Sequence, residues 1–143
     1  MTYRDSPVVT RPSVAEQAFW WFHRIIACYC LMFGTLYWIR LVGVYDGLLW
    51  RFDLMPVHWQ ISATVLAALY PFAGIGLWML TSWGAVIWLI CAATEIAMYA
   101  VFPEYFGVKN SVVISHMLVA VLYLSFRIFL YLQERSQERK RAR

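Results

Sequence analysis

In a chain that is 62% hydrophobic, three side chains stand where charge is costly: Glu95, His116 and Arg40. Each interrupts an apolar run of membrane length, and a charge at bilayer depth costs roughly 2.5–3.5 kcal/mol on insertion scales. A carboxylate there meets a partner or takes a proton. Glu95 is therefore expected in the interior, coupled to His116 or Arg40. Such a trio suits a packing lock between helices, or else a proton or small-molecule site. Intramembrane hydrolysis would want paired acids or a Ser/His set, which one carboxylate does not supply. Of the histidines, only His58 and His116 fall near the same end and could share an iron. No other haem signature supports that, and no cofactor is expected.

Secondary candidates lie along the chain. Tyr123 and Arg127 continue a polar stripe from His116 at i+7 and i+11 of a helix. Arg51 and Asp53 sit in a loop, as a substrate clasp or as solvated interfacial charges that contribute little. Cys28, Cys30 and Cys91 all lie in apolar runs and match no zinc or redox spacing, so no metal site is expected.

The elements that must position these residues are helices. Trp59 to Phe102 contains two runs of about the ~20 residues that cross hydrocarbon, separated only by Thr81 and Ser82. That is a helical hairpin. Two further runs complete an all-α, integral membrane four-helix bundle, with helices at about 19–44, 59–80, 83–102 and 112–135. At 143 residues there is room for one domain, with a disordered tail at 1–13 and a basic tail at 133–143. Charged residues are only 14% and mean hydropathy is +0.60, an apolar excess that a chain this short cannot hide in its own core. The net charge of +4 is concentrated at the ends, which removes the nucleic-acid reading.

Local signals refine the elements. Ser13 with Glu16 forms a capping-box pattern ahead of the first helix. Pro71 predicts a kink near Ala67 to Pro71, tolerated where neighbours satisfy the freed carbonyl. Ala93, Ala97 and Ala100 form a small-residue stripe, read as internal packing or, more sharply, as a homodimer seam. Glu95 faces the other way, with Trp88, Cys91, Ala92, Met98 and Tyr99. The loop Tyr45 to His58 mixes apolar and charged residues and belongs in the headgroup layer. Nine of the twelve lysines and arginines lie on the terminal side and three, Arg40, Arg51 and Lys109, on the loop side. The positive-inside rule then puts both termini in the cytoplasm. The C-terminal basic residues act as an orientation anchor.

The segment AALYPFAGIGLWMLTSWGAVIWLICAATEIAMY resembles the middle of DoxX-like membrane proteins, and Arg24 and Gly34 fit the same pattern. With its WRFDLMP loop and GLW…WG…W hairpin, the chain from about Ile25 to Leu132 is more specifically similar to a family of small uncharacterised four-helix inner-membrane proteins of alphaproteobacteria. That resemblance implies a bacterial inner-membrane location and a four-helix bundle, and carries no established activity. The DoxX likeness implies association with membrane redox or detoxification complexes. The reading is of an accessory or interaction subunit, not an enzyme by itself, whose partners are the bilayer and a membrane protein or a second copy. A small transporter or redox-linked component using the Glu95 cluster is the competing class.

Overall fold

A computed structural model describes residues 12–141, with side chains through residue 139. The tail expected at 1–13 falls almost wholly outside them. The described residues are helical, without strands. Helix α1 spans Val14–Val42, α2 Val57–Trp78, α3 Ser82–Ile96, α4 Pro103–Phe106 and α5 Asn110–Arg141. A π-helical turn, Ala97–Val101, prolongs α3, and a 3-10 turn covers Phe52–Leu54. Four helices are long and apolar enough to cross a bilayer: Val14–Val42, Val57–Trp78, Ser82–Val101 and Asn110–Arg139. The expected bounds hold to within a few residues, with α1 starting earlier and α5 running on through the basic tail.

Local chemistry explains the ends. Ser13 Oγ accepts from the Glu16 amide at 3.2 Å, and Glu16 Oε2 accepts from the Ser13 amide at 2.7 Å. This is the reciprocal capping box. Gly43, at φ 75°, closes α1 in the left-handed conformation, which favours glycine. The α2–α3 turn occupies Met79 to Thr81, with Leu80 at φ 57°. Thr81 secures it, its amide and hydroxyl both donating to the Gly76 carbonyl at 3.0 and 2.9 Å.

Since the helices are apolar nearly all round, hydrophobicity alone does not choose the buried face; close packing and polar contacts do. Helices α1, α2 and α3 approach through small residues. A Cβ on Gly34 would lie 3.0 Å from Pro71 Cδ, and one on Gly84 would fall 2.3 Å from the Gly76 carbonyl carbon. Pro71 lies inside a continuous α2. It leaves the Ala67 carbonyl without a helical donor, and Trp38 Nε1 on α1 donates there at 2.9 Å. The fourth long helix, α5, packs through large side chains: Phe126 against Phe22 with ring centroids 5.4 Å apart, and Tyr123 against His23 at 5.8 Å. Tyr29 of α1 also meets Ser115 of α5 at 3.2 Å.

The alanine stripe requires a correction. Ala93 and Ala100 are exposed and Ala97 is half-buried, so the stripe faces outward and is not internal packing. Glu95 defines the buried face of α3, as expected, together with Trp88, Cys91, Ala92, Met98 and Tyr99.

Candidate functional site

Four elements converge on one carboxylate. Glu95 is 1% exposed. Its Oε1 accepts from the Tyr37 hydroxyl of α1 at 2.6 Å, and its Oε2 accepts from the Tyr70 hydroxyl of α2 at 2.7 Å. His116 of α5, also 1% exposed, places Nε2 2.7 Å from the same Oε2. Tyr70 and His116 themselves approach at 3.4 Å.

The pattern of donors assigns the protons. Each tyrosine has one hydroxyl proton, and both short contacts direct it to Glu95. An ionised carboxylate is acceptor-only and holds about four lone-pair sites, so three donors fit its charged form. His116 then carries its proton on Nε2 as the third donor. Its Nδ1 is buried without a hydrogen-bond partner. A bare lone pair suits that position better than a stranded N–H of an imidazolium. The Trp88 indole Nε1 is likewise buried and unpartnered, with its ring 6.2 Å from the imidazole. A further proton taken up at Nδ1 would let Nε2 hand its own to Oε2 across the 2.7 Å gap, leaving a neutral imidazole and a carboxylic acid.

A cavity of about 60 Å³ adjoins this network, lined by Glu95, Tyr37, Tyr99, Arg40 and Lys109 among others. Arg40 and Glu95 share its wall without touching. No carboxylate lies within 4.0 Å of Arg40 among the described residues. The Arg40 guanidinium instead stacks among aromatic rings, 4.9 Å from the centroid of Trp50 and 5.5 Å from that of Trp59. Lys109 Nζ stands 5.4 Å from the Tyr99 ring centroid. Lys109 is exposed overall, but partial desolvation on its inner side lowers the ammonium below its ordinary pKa, and the Arg40 charge pushes the same way against Glu95.

The other candidates lie apart from this centre. Arg51 grips Asp53 with two bonds, Nε to Oδ1 at 3.1 Å and Nη2 to Oδ2 at 2.8 Å. That contact holds the Asp53 carboxyl below its usual range and raises Arg51. The two charges face each other in the open. Of the polar stripe on α5, only His116 enters the cluster. Tyr123 is half-buried beside His23 and Phe19, and Arg127 is exposed. His58 is bound to the Tyr105 carbonyl at 3.1 Å and packs on Phe106, so it and His116 have separate surroundings. No group of three metal-ligating side chains occurs among the described residues.

Sequence reasoning missed Tyr37, Tyr70 and Lys109 as members of the site. The signal for Tyr37 and Tyr70 was their place at helical spacing on small-residue faces: Gly34 and Tyr37 on α1, and Ala63, Ala67, Tyr70 and Ala73 on α2.

Comparison with known proteins adds the family. No curated protein and no solved structure matches the chain. A family model described as Family of unknown function (DUF6163) matches residues 17–134. That match covers every element supplying the Glu95 cluster, and the chain belongs to this family.

Proposed function

We propose that the protein is a small bacterial inner-membrane component in which Glu95 and His116 hold and release a proton beside a ligand cavity. This places it with small transporters or redox-linked membrane proteins, and the resemblance to DoxX-like proteins implies association with membrane redox or detoxification complexes. The observation that carries the reading is the cavity wall. A structural lock needs Glu95 and its three donors, whereas Arg40 and the exposed Lys109 also stand on the wall of the adjoining space, with no carboxylate within 4.0 Å of either among the described residues. Intramembrane ionisable groups are functional candidates by default. Both termini are taken as cytoplasmic, from the distribution of arginine and lysine. Arg40, Lys109 and the loop from Tyr45 to His58 then lie on the outer side.

The accessory-subunit reading keeps one supporting observation. Within its apolar span α5 is 6% buried, against 44% for α2, so a membrane-protein partner or a second copy has a broad face to meet.

Complementation of a deletion strain separates proton chemistry from a lock. Glu95→Gln retains shape and hydrogen-bonding capacity but removes the charge. Under the proposal this variant inserts and accumulates normally and fails to complement. If Glu95→Gln complements fully while Glu95→Leu loses the folded protein, the cluster is a lock.

A further inference from the structure

We propose that Arg40 and Lys109 bind a phosphate-type oxyanion in the cavity beside Glu95. The proposal names a ligand class for the site described above, and rests on that reading only for its coupling to the Glu95 proton.

Arg40 is prepared for such a ligand. Tyr37, Trp50 and Trp59 rings surround its guanidinium at 5.6, 4.9 and 5.5 Å. They hold the planar group in place by cation–π attraction. Stacking uses the faces of a guanidinium and leaves its N–H edges, the fork that grips carboxylates and phosphates. Those edges meet no carboxylate within 4.0 Å among the described residues, and Arg40 Nε is buried without any acceptor. Nε itself is sealed from solvent, so an anion in the cavity would be gripped by the remaining N–H groups of the guanidinium.

Lys109 supplies a second charge from another element. It immediately precedes α5, and Lys109 and Val112 both line the cavity. The start of that 32-residue helix adds the positive end of its dipole, although the Val112 amide already donates to the Lys109 carbonyl at 3.1 Å. Glu95 opposes an anion, but Tyr37, Tyr70 and His116 already donate to its oxygens.

Size limits the ligand. A cavity of about 60 Å³ has room for a few water-sized groups at ~10–15 Å³ each. One oxyanion group fits; a nucleotide or a whole cofactor does not. Leu36 of α1 is exposed and Val112 of α5 is half-buried, so the cavity sits at the groove between these helices, on an apolar flank. Free phosphate and the phosphodiester of a phospholipid both present the required oxygens.

The test is equilibrium binding to the full chain in neutral detergent. Native mass spectrometry reads phosphatidylglycerol retention, and calorimetry reads inorganic phosphate. The wild type is expected to bind one equivalent of at least one probe. Arg40→Gln and Lys109→Gln should each weaken it about tenfold, whereas Arg51→Gln, an exposed base at the same end, should not. Glu95→Gln should tighten binding by removing the opposing charge. Lipid retention that phosphate does not displace assigns the site to the bilayer; phosphate binding without lipid retention assigns it to a soluble anion. Failure of folded wild type to bind either probe, or an equal loss in Arg51→Gln, overturns the proposal. If Arg40→Gln does not fold, the loop variant Lys109→Gln carries the test. A negative result here combined with a non-complementing Glu95→Gln removes the oxyanion and leaves the proton reading standing.

Discussion

The Trp38 indole donates to the Ala67 carbonyl at 2.9 Å, the carbonyl that Pro71 deprives of its helical partner. Two helices are thereby joined at a point where one alone would carry an unmet acceptor. Trp38→Phe keeps an aromatic ring and removes the donor. It should cost about 1–3 kcal/mol, read as a fall in thermal unfolding temperature in detergent. Adding Pro71→Ala restores a backbone N–H, so the same tryptophan change should cost less in that background. Equal costs in both backgrounds would refute the pairing.

The α2–α3 hairpin makes a sharper demand. A Cβ at Gly84 would lie 2.4 Å from Leu77 N and 2.3 Å from the Gly76 carbonyl carbon, both backbone atoms that cannot turn aside. Gly84→Ala should therefore cost at least the upper part of the ~1–3 kcal/mol usual for overpacking. Folded yield and melting temperature measure it, and a silent substitution would contradict the close approach.

Topology is testable without a structure. The nine-to-three distribution of basic residues predicts both termini inside and Tyr45 to His58 outside. Reporter fusions at Gly47 and Arg143 should show periplasmic activity at the first and cytoplasmic activity at the second. Periplasmic activity at Arg143 would reverse the assignment.

The Lys109 ammonium gives oxyanion binding a pH dependence. Its neighbours are Arg40 on α1, Glu95 on α3 and Tyr99 in the π-helical turn. Partial desolvation first, then Arg40, lowers its pKa below the ordinary lysine value of about 10.4. A lowered amine loses its proton sooner as pH rises, so binding should be intact at neutral pH and weaken on the alkaline side, before an ordinary lysine would titrate. Lys109→Arg, charged throughout, should abolish that loss. Calorimetry across the alkaline range checks it, and a flat wild-type profile would contradict it.

Much of this architecture is legible in the sequence because helix length, short turns and caps are local. Thr81 and Ser82 between two apolar runs already imply the hairpin, and Ser13 with Glu16 implies the start of α1. The orientation of Glu95 also follows locally, since burying a charge among its own helical neighbours leaves one face open to choice. Its partners are less local. Arg40 interrupts an apolar run as Glu95 does, which pairs the two by depth, but three residues on a helix turn a side chain about 300° at 3.6 per turn. Tyr37, not Arg40, thus points at the carboxylate. Tyr70 adjoins Pro71 and drew attention only as part of a kink. Its role depends on how α2 meets α1 through Gly34, a contact that no single helix encodes.

Infrared difference spectroscopy on acidification tests the central claim most directly, because it reads the carboxyl group at Glu95. The wild type in lipid should show a reversible carboxylic-acid carbonyl band that is absent in Glu95→Gln and displaced in His116→Gln, which retains a hydrogen-bond donor but cannot share the histidine proton. A spectrum without any reversible band that depends on Glu95 would contradict the account and leave the cluster as a fixed joint between helices.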